Sequence, residues 1–190
     1  MTVVTKGIMF IYLKIRVAFY KALSINSPVI KDSKIVQATV FNGKGSIELV
    51  GVSLGIYSSP EVISGSCYIE ARHQGSEVRI SNGTVINNNA SIIAERSSIS
   101  IGSNCLIGFN FQCIDSDFHP LSSKDRKENT HVCQDVYIGD NVFVGNNVTI
   151  LKGVKVGNNS VIGTGSIVTK DVKENSVYAG NPAKFIRSLG

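Results

Sequence analysis

Six consecutive hexads, IGDNVF, VGNNVT, ILKGVK, VGNNSV, IGTGSI and VTKDVK, fill residues 138–173 without a gap. A branched apolar residue opens every hexad, and a small or apolar residue follows four positions later. The first row is Ile138, Val144, Ile150, Val156, Ile162 and Val168, and the second row is Val142, Val148, Val154, Ser160, Ser166 and Val172. A six-residue period fits neither the 3.6-residue period of a helix nor the alternation of a strand. The stretch therefore predicts a solenoid of short strands and corners.

Asparagine and glycine fill many positions between these apolar rows. Both residues enter the left-handed backbone region at low cost, which suits them to tight corners. Three strand-and-corner sides would close one coil of a parallel β-helix, with the apolar rows stacked inside. The pattern therefore predicts a triangular prism.

A second motif, AGNPAKFIR at residues 179–187, follows the last hexad. The hexads and this tail together resemble the left-handed β-helix acyltransferases built on hexapeptide repeats, in particular the sugar O-acetyltransferase branch. The resemblance implies an all-β fold, a left-handed parallel β-helix. The left hand comes from the family alone, because parallel crossovers are otherwise overwhelmingly right-handed.

The chain divides into three predicted segments. Residues 1–32 form an N-terminal helix and cap, residues 33–173 the β-helix, and residues 174–190 a tail with a short C-terminal helix. The early coils are irregular, with strands expected at residues 34–41, 46–50, 67–71 and 77–80. The period slips by three residues through 95–98, which we interpret as a corner bulge. An excursion loop without hexad phase occupies residues 117–136, and such loops are either tolerated insertions or working loops.

Composition limits the class of protein. A chain of 190 residues with 43% hydrophobic and 17% charged residues makes one globular domain. The four cysteines form no CxxC pair and follow no secretion signal, which favours a reducing cytoplasm over disulfides or zinc. The net charge of +5 does not indicate nucleic-acid binding, because basic and aromatic residues are not interleaved in one patch.

The N-terminal segment 7–25 contains good helix formers and predicts one helix. Two interpretations stay open. The helix can cap the first coil, as solenoids require at an open end. It can also lie at the inner face of the cell membrane, with its apolar side down and Lys14, Arg16 and Lys21 near anionic lipid. The expected location is cytoplasmic, with possible peripheral membrane contact.

The motif DSDFHP, residues 115–120, lies where the coil gives way to the excursion. An imidazole can accept a proton at neutral pH, and general-base catalysis is typically worth about 10² to 10⁴ in rate. Asp115, Asp117 and His119 are two residues apart, so an extended backbone would place all three on one face. Either carboxylate could then orient the ring, and the spacing does not choose between them.

The family resemblance assigns further roles. It implies that His119 is the general base, that acetyl-coenzyme A is the donor, and that Asn88 holds the acceptor, with a register uncertain by one among its asparagine neighbours. Phe143 stands where relatives often have Trp, so it can contact substrate or fill space between subunits. The resemblance implies cofactor contacts at Asn146, Thr164, Thr169, Lys170, Lys184 and Arg187, and no metal.

The expected activity is therefore transfer of an acetyl group to a sugar hydroxyl, in capsule, lipopolysaccharide or other surface-polysaccharide biosynthesis. The resemblance also implies a cyclic homotrimer with sites shared between subunits. Three alternatives stay open: N-acetylation of an amino sugar, a zinc carbonic anhydrase-like site formed by His73, His119 and His131, and a non-catalytic solenoid.

Overall fold

The computed structural model of the chain describes residues 3–128 and 130–190. Met1 and Thr2 of the predicted cap and Asn129 of the predicted excursion lie outside the described residues. Within them, helix α1 (Val3–Leu23) precedes a series of short strands that form three sheets. No helix in this described part is long and apolar enough to cross a membrane.

The three sheets are the three sides of a triangular prism. The first sheet contains β1 (Val29–Lys31), β4 (Ser46–Val50), β7 (Glu77–Ile80), β10 (Ser98–Ile101), β13 (Val136–Ile138) and β16 (Lys155–Val156). The second contains β2 (Lys34–Ile35), β5 (Ser53–Leu54), β8 (Val85–Ile86), β11 (Leu106–Ile107), β14 (Phe143–Val144), β17 (Val161–Ile162), β19 (Ser176–Ala179) and β20 (Lys184–Ser188). The third contains β3 (Thr39–Asn42), β6 (Cys67–Ala71), β9 (Ser91–Ala94), β12 (Gln112–Ile114), β15 (Thr149–Ile150) and β18 (Ile167–Val168).

The chain passes from the first sheet to the second, to the third, and back to the first. Every pairing between consecutive coils is parallel, for example Ile138 with Val156 and Ile150 with Val168. The predicted strands at 46–50, 67–71 and 77–80 coincide with β4, β6 and β7. The solenoid therefore extends upstream of the regular hexads.

Both rows predicted from the hexads are buried in the core. The row that opens the hexads is fully enclosed and stacks coil upon coil. Ser160 and Ser166 interrupt the second row, but their hydroxyls donate to backbone carbonyls, Ser160 Oγ to Gly157 O at 2.7 Å and Ser166 Oγ to Gly163 O at 2.6 Å. These buried hydroxyls are hydrogen-bonded and therefore tolerated.

The corners use the left-handed backbone as predicted. Asn141, Asn147 and Asn159 have φ of 55°, 54° and 59°. Two ladders of side chains run along the prism: Asn141 Nδ2 donates to Asn159 Oδ1 at 2.9 Å and Asn159 Nδ2 to Asn175 Oδ1 at 3.0 Å, and at a second corner Asn110 Nδ2 donates to Asn147 Oδ1 at 3.0 Å. Each corner asparagine thus supplies both the backbone conformation and a link to the next coil.

Helix α1 lies over the first coil. Leu13 is buried, and the ring of Phe10 stacks on that of Tyr57 with centroids 4.9 Å apart. The Arg16 guanidinium donates to the carbonyls of Ser64 at 3.2 Å and Gly65 at 2.9 Å. These contacts hold the helix against the loop that follows β5.

The prediction of a short C-terminal helix is wrong. Residues Lys184–Ser188 form β20, which pairs antiparallel with β19 after a turn that contains a cis Asn181–Pro182 bond. The second sheet would otherwise end in unpaired backbone groups at β19, and the returning tail supplies their hydrogen-bond partners. Pairing partners five to twelve residues away outweigh the local preference of KFIRS.

Candidate active site

The excursion between β12 and β13 is closed at its base. Ser116 and Cys133 form an antiparallel bridge, and two backbone hydrogen bonds flank it: Asp117 N to Val132 O at 3.3 Å, and Gln134 N to Asp115 O at 2.8 Å. We call residues 115–117 and 132–134 the neck. The neck fixes both ends of the loop to one corner of the prism, where the chain passes from the third sheet to the first.

Asp115 anchors the first arm of the neck. Its buried carboxylate accepts three backbone N–H groups of the preceding coil, from Glu95 at 2.7 Å, Arg96 at 3.1 Å and Ser97 at 2.8 Å. These three donors belong to the segment where the hexad period slips. The slip is therefore a widened corner whose N–H groups close around one carboxylate.

Glu95 connects both arms of the neck. Its buried side chain accepts from the Ser116 hydroxyl, and its Oε2 lies 2.7 Å from His131 Nε2 and 3.8 Å from Cys133 Sγ. Arg72 Nη1 lies 4.0 Å from its Oε1. Burial acts to raise the pKa of Glu95, but the hydrogen bonds from Ser116 and His131 and the charges of His131 and Arg72 outweigh it. The pKa of Glu95 is consequently below its ordinary value.

Phe118 sets the direction of the chain before His119. Its φ of 58° is left-handed, and its N–H donates to Ser116 Oγ at 2.8 Å. The Arg72 guanidinium, held by Glu70 at 3.1 and 3.0 Å, lies 5.0 Å above the Phe118 ring. A left-handed phenylalanine is uncommon, so these contacts define a turn that projects the next residue from the prism.

His119 is exposed at this turn, and Pro120 after it is buried. The two predicted partners of the imidazole are engaged elsewhere: Asp115 binds the corner, and Asp117 Oδ1 lies 3.1 Å from Lys152 Nζ. Within residues 3–128 and 130–190, no hydrogen bond joins His119 to either aspartate. The structure thus brings His119 and Asp117 to one corner, without the direct contact that the spacing suggested.

Asn88, the predicted acceptor-binding residue, is buried. Its Oδ1 accepts from Ile56 N at 2.9 Å, and its Nδ2 donates to the carbonyls of Ile56 at 3.0 Å and Pro60 at 2.8 Å. The amide holds the loop that follows β5. Asn87 and Asn89 are only partly buried, so both neighbours lie nearer the surface than Asn88.

Phe143 lies on the outside of the second sheet and is half exposed. Its register neighbours on that face are Leu106 and Val161, which makes an apolar strip along the prism. This placement fits either of the two predicted roles, contact with substrate or contact between subunits.

The predicted cofactor residues are exposed and occupy two corners and the tail. Asn146 and Thr164 stack at the corner between the second and third sheets. Thr169 and Lys170 follow β18 at the same type of corner as His119, two coils further on. Lys184 and Arg187 lie on β20. One subunit therefore does not gather the six residues around a single point.

The His131 side chain is buried, and its Nδ1 has no hydrogen-bond partner among the described residues. Ligand atoms of Glu95, His131 and Cys133 lie within 4.8 Å of one another. In the described part of the chain, His73, His119 and His131 do not converge as the zinc alternative requires. The Glu95 carboxylate is hydrogen-bonded to Ser116 and His131. These hydrogen bonds, which hold the two arms of the neck together, explain why the three side chains lie close to one another.

Two family profiles match the chain. The bacterial transferase hexapeptide profile (six repeats) matches residues 128–170, and the hexapeptide repeat of succinyl-transferase matches residues 98–113. A galactoside O-acetyltransferase of Lactococcus lactis is 36% identical over 131 residues, which is 67% of this chain and 62% of that enzyme. The chain therefore resembles the hexapeptide-repeat acetyltransferases, and it spans less than two thirds of the length of the galactoside O-acetyltransferase.

Solved structures of this family share the fold. The polysialic acid O-acetyltransferase OatWY is 27% identical with a TM-score of 0.65, over 86% of this chain and 82% of that one. A hexapeptide-repeat acetyltransferase of Vibrio cholerae, complexed with acetyl-coenzyme A, is 32% identical with a TM-score of 0.55, over 61% of each chain. The prism is accordingly the left-handed parallel β-helix that the resemblance implied.

The sequence did not identify Glu95, Arg72, His131 or Lys152 as residues that hold the site. One signal for Glu95 was present, since it opens the slip in the hexad period, where a charged residue interrupts apolar rows. His131 closes the excursion, and a histidine next to the neck was a second signal. Arg72 and Lys152 lie on neighbouring coils. Their positions beside the site follow only from the way the coils stack in the structure.

Proposed function

We propose that the protein transfers the acetyl group of acetyl-coenzyme A to a hydroxyl of a sugar, with His119 as general base. One observation carries the proposal: an exposed imidazole stands at the edge of a rigid prism, on a loop clamped at its base by buried carboxylates. Relatives that act on galactosides and polysialic acid support a sugar acceptor.

The reaction follows from the chemistry of an imidazole and a thioester. A ring nitrogen of His119 removes the proton of the acceptor hydroxyl, and the oxygen attacks the thioester carbonyl carbon. The tetrahedral intermediate collapses with cleavage of the carbon–sulfur bond, and the imidazolium returns its proton to the leaving thiolate. The products are an O-acetyl sugar and coenzyme A. Holding both substrates together supplies much of the rate, and no acyl-enzyme is needed.

The donor is assigned to the groove between neighbouring subunits of a cyclic homotrimer. Lys170, Lys184 and Arg187 are exposed cations that suit the phosphates of coenzyme A, and Arg can bind phosphate with two parallel hydrogen bonds. Asn146, Thr164 and Thr169 offer polar groups nearer the prism. Because these residues are spread over separate corners and the tail, a shared site explains their distribution better than a site within one subunit.

The acceptor is assigned to surface polysaccharides such as capsule or lipopolysaccharide. The support is the similarity to the polysialic acid O-acetyltransferase, because the aligned region includes most of this chain and most of that enzyme. The deciding experiment measures thiol release from acetyl-coenzyme A with oligosaccharide repeat units, nucleotide sugars and amino sugars side by side. We expect hydroxyl acceptors to be used.

His119→Ala should lower kcat by about 10² to 10⁴ and leave the affinity for acetyl-coenzyme A nearly unchanged. His73→Ala is the matched control, because His73 is also exposed and occupies the same type of corner two coils earlier. It should keep activity within about twofold of the parent protein. Full activity of His119→Ala would refute the assignment of the base, and exclusive use of amines would refute the assignment of the acceptor.

A further inference from the structure

Helix α1 exposes a continuous apolar stripe to solvent. Ile8, Ile11, Ile15 and Phe19 are 64%, 61%, 62% and 59% exposed. Their spacing of three, four and four residues places them on one face of the helix. Large apolar side chains that are mostly exposed and adjacent mark an interaction surface.

The stripe does not belong to the packing of α1 on the prism. That packing uses a different face, which carries the buried Leu13, and the two flanks, where Phe10 stacks on Tyr57 and Arg16 donates to loop carbonyls. The helix is therefore fixed in place by its own docking contacts. The stripe, pointing away from the prism, is available to a partner.

The charges of α1 indicate the nature of that partner. The helix contains Lys6, Lys14, Arg16 and Lys21 and no acidic residue. Lys14 and Lys21 are exposed and seven residues apart, so they lie on the same side of the helix, between the stripe and the face that packs on the prism. Arg16 has a structural role, because its guanidinium binds the carbonyls of Ser64 and Gly65.

We propose that α1 lies flat on an anionic bilayer, with the stripe in the acyl boundary and Lys14 and Lys21 at the lipid phosphates. Apolar burial and attraction between lysines and anionic lipid act together in such helices. A second copy of α1 would bring further cations to the same boundary, whereas lipid phosphates bring the opposite charge. The proposal does not depend on the proposed acetyl transfer, since binding to vesicles needs neither donor nor acceptor.

The test is flotation of the full chain with vesicles of phosphatidylcholine, with and without phosphatidylglycerol. We expect binding to anionic vesicles, weaker binding to neutral ones, and weakening by salt because exposed charges are screened. The double variant Ile11→Glu/Ile15→Glu should lose about tenfold or more in affinity. Leu121→Glu is the matched control: Leu121 is 80% exposed but lies on the excursion, so its variant should bind like the parent protein.

A second variant guards against misfolding of the first. Lys14→Glu/Lys21→Glu leaves the stripe intact and should lower affinity for anionic vesicles about tenfold, with little change on neutral ones. Sedimentation velocity is run on every variant. If the parent protein does not float with anionic vesicles, the proposal is overturned. It is also overturned if Ile11→Glu/Ile15→Glu dissociates an oligomer, because the stripe would then be a subunit interface.

Discussion

Asp115 and Asp117 show how far a two-residue spacing can be trusted. The sequence predicted that both face His119, which holds only while the backbone is extended. The left-handed φ at Phe118 breaks the extended conformation between Asp117 and His119. The motif therefore gave the position of the proposed base, and the direction of each side chain followed from a backbone turn that the sequence DSDFHP does not predict.

Asp115→Asn separates a structural role from a catalytic one. An asparagine keeps one acceptor oxygen but presents an NH₂ group to backbone N–H donors, so buried donors lose their partner. We expect a loss of about 2 to 3 kcal/mol in the free energy of unfolding, measured with urea. Asp135→Asn is the control, because Asp135 is exposed and, among the described residues, its Oδ1 accepts from the N–H and the hydroxyl of Ser98; its loss should be smaller. Unchanged stability of Asp115→Asn together with a large loss in kcat would contradict this structural role.

At the scale of the elements, the hexads predicted the regular coils because each coil repeats one local rule. A branched residue points inward, and an asparagine or glycine turns the corner. The prediction for the tail was wrong for the opposite reason. Strand β20 forms because β19 offers a free edge, and the residues KFIRS do not themselves predict that edge. A repeating local pattern can therefore be recognised in the sequence. The pairing of a terminal strand cannot, because it depends on which strand edges the rest of the fold leaves unpaired.

The corner asparagines combine two contributions that substitutions can separate. Asn159→Gly keeps the left-handed φ at low strain but removes the side chain that links Asn141 to Asn175. Asn159→Ala removes the link and adds strain of roughly 1 kcal/mol. We therefore expect the alanine variant to unfold at lower urea concentration than the glycine variant, and both below the parent protein. A glycine variant less stable than the alanine variant would contradict this account of the corner.

For the whole molecule, the proposed shared site can be tested by mixing subunits. His119→Ala removes the proposed base, and Lys170→Glu/Lys184→Glu removes cations that are proposed to bind the donor. Each preparation alone should be inactive. Random mixed trimers would restore about a quarter of the sites, because an intact base then meets intact cations of a neighbour.

The assay is thiol release after co-expression of the two variants, with separately purified subunits as the control. Sedimentation should show a trimer in all preparations. No recovery in verified mixed trimers would place base and donor groups in the same subunit.

The stacking also acts as a ruler. Successive coils rise by about 4.8 Å, so the Lys170 corner stands roughly 10 Å beyond the corner that carries His119. This distance can change only by the rise of a complete coil, because insertion of part of a coil would move every later corner to a different side of the prism. If a thioester is to meet the imidazole while its phosphates meet these cations, the length of the donor dictates how many turns separate them. The length of the donor would then set the number of coils between His119 and Lys170. Insertion of one more coil would add core contacts to the prism but would abolish activity.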